Sequence, residues 1–126
     1  MIKREQTFTT KFQRWLKYKW NGGSAYFEIK ATTKNYLSFS DVKKHQKLNL
    51  RSKRIIYKFT DALRWGTIFD VMLCEGKGYV VINYKYPSKE FFVCPIDVFL
   101  EEENISDRKS LTESRAREIC RLEVLG

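Results

Sequence analysis

Histidine and proline are the scarcest features of this 126-residue chain, with one of the former and two of the latter. A single imidazole, His45, excludes any catalytic scheme that needs two histidines. The three cysteines, Cys74, Cys94 and Cys120, are odd in number, widely spaced and without a Cys-x-x-Cys pair, which speaks against a zinc site. Reduced, mostly buried thiols are expected. No run of about 18 apolar residues occurs, so no transmembrane helix is expected. The opening residues, Met-Ile-Lys-Arg-Glu-Gln, lack the apolar core of a signal peptide. A cytoplasmic protein is therefore expected, in its own cell or in an infected host. Acidic side chains are also in deficit: 15 stand against 24 Lys and Arg, for a net charge of +9.

What is present is a globular composition. Hydrophobic residues at 43% and aromatics at 15% are enough for a core and exclude a disordered chain. The length suits one domain over residues 1–126, able to bury about two-thirds of its unfolded surface without disulfide staples. The positive charge is uneven: residues 1–60 are strongly basic and residues 61–126 slightly acidic. That asymmetry points to a polyanionic partner, nucleic acid before a membrane surface.

Residues 4–19 read as a helix, with Phe8, Phe12, Trp15 and Leu16 on one apolar stripe and Lys3, Arg4, Lys11, Arg14, Lys17 and Lys19 on the polar side. Glu5 falls on the inward side near the helix start, where the helix dipole favours a carboxylate. Asn21-Gly22-Gly23 turns the chain into a strand over 24–32. On that strand Phe27, Ile29 and Ala31 point to a core, while Tyr26, Glu28 and Lys30 point the other way. Glu28 and Lys30 then lie roughly 6.5–7 Å apart at Cα.

A polar connection over 33–38 leads to a basic helix over about 40–53, with Ser40 as N-cap and Val42, Gln46, Asn49 and Leu50 on one face. Strands are expected at 55–59, 67–74, 79–86 and 90–93, with a hairpin turn at Glu75-Gly76-Lys77-Gly78 pairing the second with the third. A short helix follows at 96–102. Ser110-x-x-Glu113 reads as a capping box ahead of a last helix over 111–122.

The chemistry-bearing groups are carboxylates, one lysine and one glutamine. Two or three carboxylates can hold magnesium with open water positions, and a nearby lysine can stabilise developing charge at a phosphate. Glu28-x-Lys30 meets part of that need. Asp70 is a further candidate, since an unpaired charge in the apolar stretch Ile68-Phe69-Asp70-Val71 would be costly to bury; Asp61 is a weaker one.

An acid in a first helix, a Glu-x-Lys strand and a following helix with a glutamine together resemble the PD-(D/E)xK nuclease superfamily. Within it, Phe27-Glu28-Ile29-Lys30-Ala31-Thr32, Leu37-Ser38-Phe39, His45-Gln46 and Leu50 are similar to the RecU-type Holliday-junction resolvases. The likeness is close over 26–50 and loose over 4–100. It implies an α/β fold with a mixed central β-sheet flanked by helices, the restriction-endonuclease-like core. It also implies magnesium as cofactor, with manganese as substitute, and a homodimer acting on branched or duplex DNA. By the same resemblance Glu28 is a metal ligand, Lys30 the catalytic lysine, Glu5 the first-helix acid and Gln46 a contact to the site or the DNA. The family places an acid on a strand before the Glu-x-Lys strand; here none lies between Glu5 and Glu28, and Asp70 is the proposed replacement among the metal ligands.

Lys43, Lys44, Lys47, Arg51, Lys53 and Arg54 would neutralise phosphates. Lys34 and Tyr36 are placed to reach a DNA backbone, and Trp65, with Arg64, to stack on a base at a branch point. Three functions remain open from sequence: a junction resolvase, a nicking or homing-type nuclease of the same superfamily, and a non-catalytic DNA-binding protein with a degenerate site.

Overall fold

The computed structural model describes residues 3–20, 25–51, 54–58, 71–75 and 77–126; at Lys3, 54–58 and 71–75 it describes the backbone alone. The elements run α1 (Lys3–Lys19), β1 (Ala25–Ala31), β2 (Tyr36–Ser38), a 3-10 turn (Phe39–Asp41), α2 (Lys44–Arg51), β3 (Arg54–Lys58) and β4 (Val71–Glu75). There follow β5 (Lys77–Asn83), β6 (Glu90–Pro95), α3 (Ile96–Ile105), β7 (Ser110–Thr112), α4 (Glu113–Ile119) and β8 (Arg121–Val124).

The apolar run from Tyr79 to Ile82 suits a strand covered on both faces, and β5 is such a strand. It lies inside a mixed sheet of order β1-β5-β6-β8, parallel to β1 and antiparallel to β6. Side chains alternate between two cores. On one face α1 buries Phe8, Phe12 and Trp15 against Val81, Phe91 and Val93. There Phe91 meets all three rings edge-on, at centroid distances of 5.6, 5.6 and 5.0 Å, a favoured aromatic arrangement. On the other face Val80, Ile82, Phe92 and Cys94 pack with Val42, Leu50, Ile96, Phe99 and Ala116. The result is a four-stranded mixed sheet flanked by helices, as expected. Among the described residues no helix is long and apolar enough to cross a membrane.

Gly78 permits the close approach of α2 to the sheet. A Cβ there would stand 2.2 Å from the carbonyl oxygen of Leu50, so no side chain fits without moving the helix end.

Five local expectations differ from the structure. The strand ending at Glu75 pairs with β3, not with β5, because β5 is occupied on one edge by β1 and on the other by β6. The helix expected from residue 40 begins at Lys44 instead. Phe39 and Val42 both insert into the core, and Val42 takes an extended backbone that interrupts the helix. Residues 36–38 form a strand with 110–112 rather than a free connection. The cap of α4 is Thr112, whose hydroxyl accepts from the Arg115 amide at 3.2 Å. Ser110 is instead part of β7, drawn there by burial of Leu111, and residues 121–124 leave the helix to become β8.

Candidate functional site

The site builds outward from β1, one of the two edge strands of the four-stranded sheet among the described residues. Phe27, Ile29 and Ala31 join the α1 core, which leaves Glu28 and Lys30 on the opposite side, as the period-two alternation requires. The Lys30 Nζ lies 3.8 Å from Glu28 Oε1, with side-chain exposures of 13% and 21% respectively. That separation is an ion pair but too long for a hydrogen bond, so both groups keep bonding capacity for a third species.

Glu5 arrives from α1. Arg4 donates from Nε to the Ala31 carbonyl at 2.8 Å. That bond ties the first turn of α1 to the end of β1. A cleft of about 500 Å³ opens at this junction, lined by Arg4, Glu5, Lys30 and Thr32 together with Leu37, Asp41 and Lys43.

The Glu28 carboxyl is held above the usual carboxylate range. Burial is the largest cause; the Lys30 ammonium opposes it, the Glu5 carboxylate reinforces it, and His45 opposes it more weakly. Glu5 from α1, Lys30 from β1 and His45 from α2 therefore all act electrostatically on Glu28. A half-buried carboxylate facing a second one is stabilised in its charged form by a cation.

Gln46 is half-buried, and its side-chain oxygen accepts from the Lys43 amide at 2.8 Å, which closes the first turn of α2. Its amide donors and the second lone pair of its oxygen remain for other contacts. Lys34 and Tyr36 stand together on the surface beyond β1: the Lys34 ammonium donates to the Tyr36 hydroxyl at 3.0 Å and lies 5.3 Å from its ring centroid. Lys43 lines the cleft and Lys44 is exposed beside it. Lys47 instead pairs with Glu103 at 2.9 Å. Arg51 is exposed at the far end of α2, about 10 Å along the axis from Lys44. Arg54 begins β3, where the backbone alone is described; Asp61, Arg64, Trp65 and Asp70 lie outside the described residues.

Two cleft residues escaped the sequence reading. Arg4 looked like one of several helix-surface cations, and Asp41 follows Ser40, the residue expected to cap the basic helix, where a carboxylate needs no further role. Asp41 shares the cleft without closing on the carboxylates: among the described residues, no three acidic, histidine or cysteine side chains converge tightly enough to hold a metal ion. Glu5 and Glu28 still fit magnesium by the chemistry of their donors, because that ion is commonly held by one or two carboxylates plus waters and a phosphate.

No family model, no curated protein and no solved structure matches the chain.

Proposed function

We propose that the chain is a magnesium-dependent endonuclease with a restriction-endonuclease-like core, acting on branched DNA as a junction resolvase. The observation that carries this is the convergence of Glu28, Lys30 and Glu5 at one sheet edge, with the Glu28 carboxyl raised by burial and by the neighbouring acid. Such an arrangement is costly for a merely structural ion pair and suits a cation site.

Glu5 and Glu28 would hold the metal, with Asp70 as the proposed third carboxylate. When bound, the ion supplies neutralisation of phosphate charge and an acidified water. The remaining work belongs to the chain. Lys30, short of a hydrogen bond to Glu28, turns its ammonium to the phosphate and stabilises the negative charge that grows there. Arg4 and Lys43 at the cleft walls attract the backbone, and Lys34 and Tyr36 extend that cationic track beyond β1. A four-way junction presents two equivalent strands, so paired cleavage calls for a twofold homodimer.

The test is cleavage of a labelled four-way junction and of a matched linear duplex, with and without magnesium. The wild type is expected to cut the junction in magnesium. Glu28→Ala and Lys30→Ala should each lose at least about a hundredfold in rate while still binding the junction. Equal cutting of both substrates would replace the resolvase by a nicking or homing-type nuclease. Absence of cutting in magnesium and in manganese would leave the third function, a DNA-binding protein with a degenerate site.

A further inference from the structure

A second cationic cleft lies between α1 and the segment leading into β6, built on residues other than those around Glu28. Positions 11, 14, 15, 18 and 19 recur at helical spacing, so Lys11, Arg14, Tyr18 and Lys19 form one exposed stripe bordering the buried one at Trp15. Facing this stripe, the Leu125 amide donates to the Lys89 carbonyl at 2.8 Å, which fastens the last residues alongside the segment entering β6. Between the two runs a cleft of about 350 Å³. Trp15, Tyr18, Leu125 and Gly126 line it beside the cations Lys11, Arg14, Lys19 and Lys89.

Three features give this cleft a chemical direction. No acidic side chain lines it. None of its four cations has an acidic partner among the described residues. Tyr18 stands at it with 72% of its surface exposed, which hydrophobic burial does not explain. Among the described residues its one charged neighbour at ring distance is the Lys17 ammonium, 5.4 Å from the centroid, a weak contact at an exposed site. Unpaired cations around an available aromatic ring match a strand of phosphates carrying unstacked bases. A duplex keeps its base faces covered and has no use for the ring.

We propose that this face is a contact for single-stranded nucleic acid, in which Lys11, Arg14, Lys19 and Lys89 take phosphates and Tyr18 takes one base on its ring. The contact stands apart from the chemistry proposed at Glu28 and needs no cleavage to be observed.

The experiment is fluorescence anisotropy of a labelled oligothymidylate and of a duplex of equal length, in magnesium-free buffer, using Glu28→Ala as the parent so that nothing is cut. Tyr18→Ala is expected to weaken oligothymidylate binding about tenfold, to leave duplex binding within about twofold, and to be rescued by Tyr18→Phe. The double variant Lys11→Glu, Lys89→Glu should lower the single-strand salt slope by about 1.4, the share of two phosphates. Unchanged oligothymidylate binding in both variants would overturn the proposal. So would equal losses on duplex and single strand, which indicate a general backbone contact. Competition by polyglutamate as effective as by unlabelled oligothymidylate would point instead to an acidic protein partner and also overturn it. Tyr18 is a surface residue, so circular dichroism should report unaltered folding in its variants.

Discussion

At Glu28 the cost and the use of the site are the same physical fact. Its carboxyl is raised chiefly by burial, so ionising it in the folded protein is harder than in the unfolded chain. A group raised on folding contributes stability below its unfolded value and loses that contribution as pH climbs through the folded one. Neutral pH is therefore the unfavourable side. Glu28→Gln is expected to raise the melting temperature at neutral pH and to lose that advantage near pH 4, about where a free Glu carboxyl titrates. Magnesium should reverse the order: it should stabilise the wild type more than Glu28→Gln, as a ligand bound to the native state does. Thermal unfolding at the two pH values, with and without the ion, checks both statements. An equal melting temperature for the two proteins at neutral pH would show that Glu28 is not strained by its surroundings.

Among the elements, α2 and α4 show how caps and packing set boundaries. The α4 start rests on Thr112, so Thr112→Ala should cost about 1 kcal/mol in denaturant unfolding. Ser110→Ala should stay within about 0.5 kcal/mol if no cap is lost. The end of α2 rests on the absence of a side chain at Gly78. Gly78→Ala should cost about 1–3 kcal/mol as overpacking, since the helix backbone itself is the obstacle. Because Lys43, at the cleft, leads directly into α2, that substitution should also weaken DNA binding, whereas Thr112→Ala should not.

For the whole molecule, the charge asymmetry becomes a salt dependence. Lys43 and Lys44 are exposed at the cleft end of α2, whereas Lys47 is engaged with Glu103. Reversing both exposed lysines to Glu should therefore reduce the salt slope of duplex binding by about two phosphate contacts, or 1.8. Lys47→Ala should leave that slope unchanged. A homodimer is expected on the resolvase proposal, and light scattering with and without junction DNA would read twice the mass of one chain.

Much of this protein follows from short-range pattern. The stripe Phe8-Phe12-Trp15 specifies α1, and alternation along 25–31 puts Phe27, Ile29 and Ala31 on one side and Glu28 with Lys30 on the other. Periodicity is a local property, so a single chain segment determines it. Partner choice is not local. Whether residues 71–75 pair with β3 or with β5 depends on which strand must be covered on both faces and which edges are already taken. The use of Gln46 depended likewise on Val42 breaking the helix just ahead of it, so that its oxygen met the Lys43 amide. The approach of Glu5 to Glu28 joins an acid of α1 to one on β1, more than twenty positions away. It exists because the aromatic core seats α1 on the sheet and Arg4 bonds to Ala31. The sequence by itself determined which residue types were available and which side of each element they occupied. The tertiary structure alone decided which of them meet, because burial on both faces of a central strand leaves each flanking element only one place to pack.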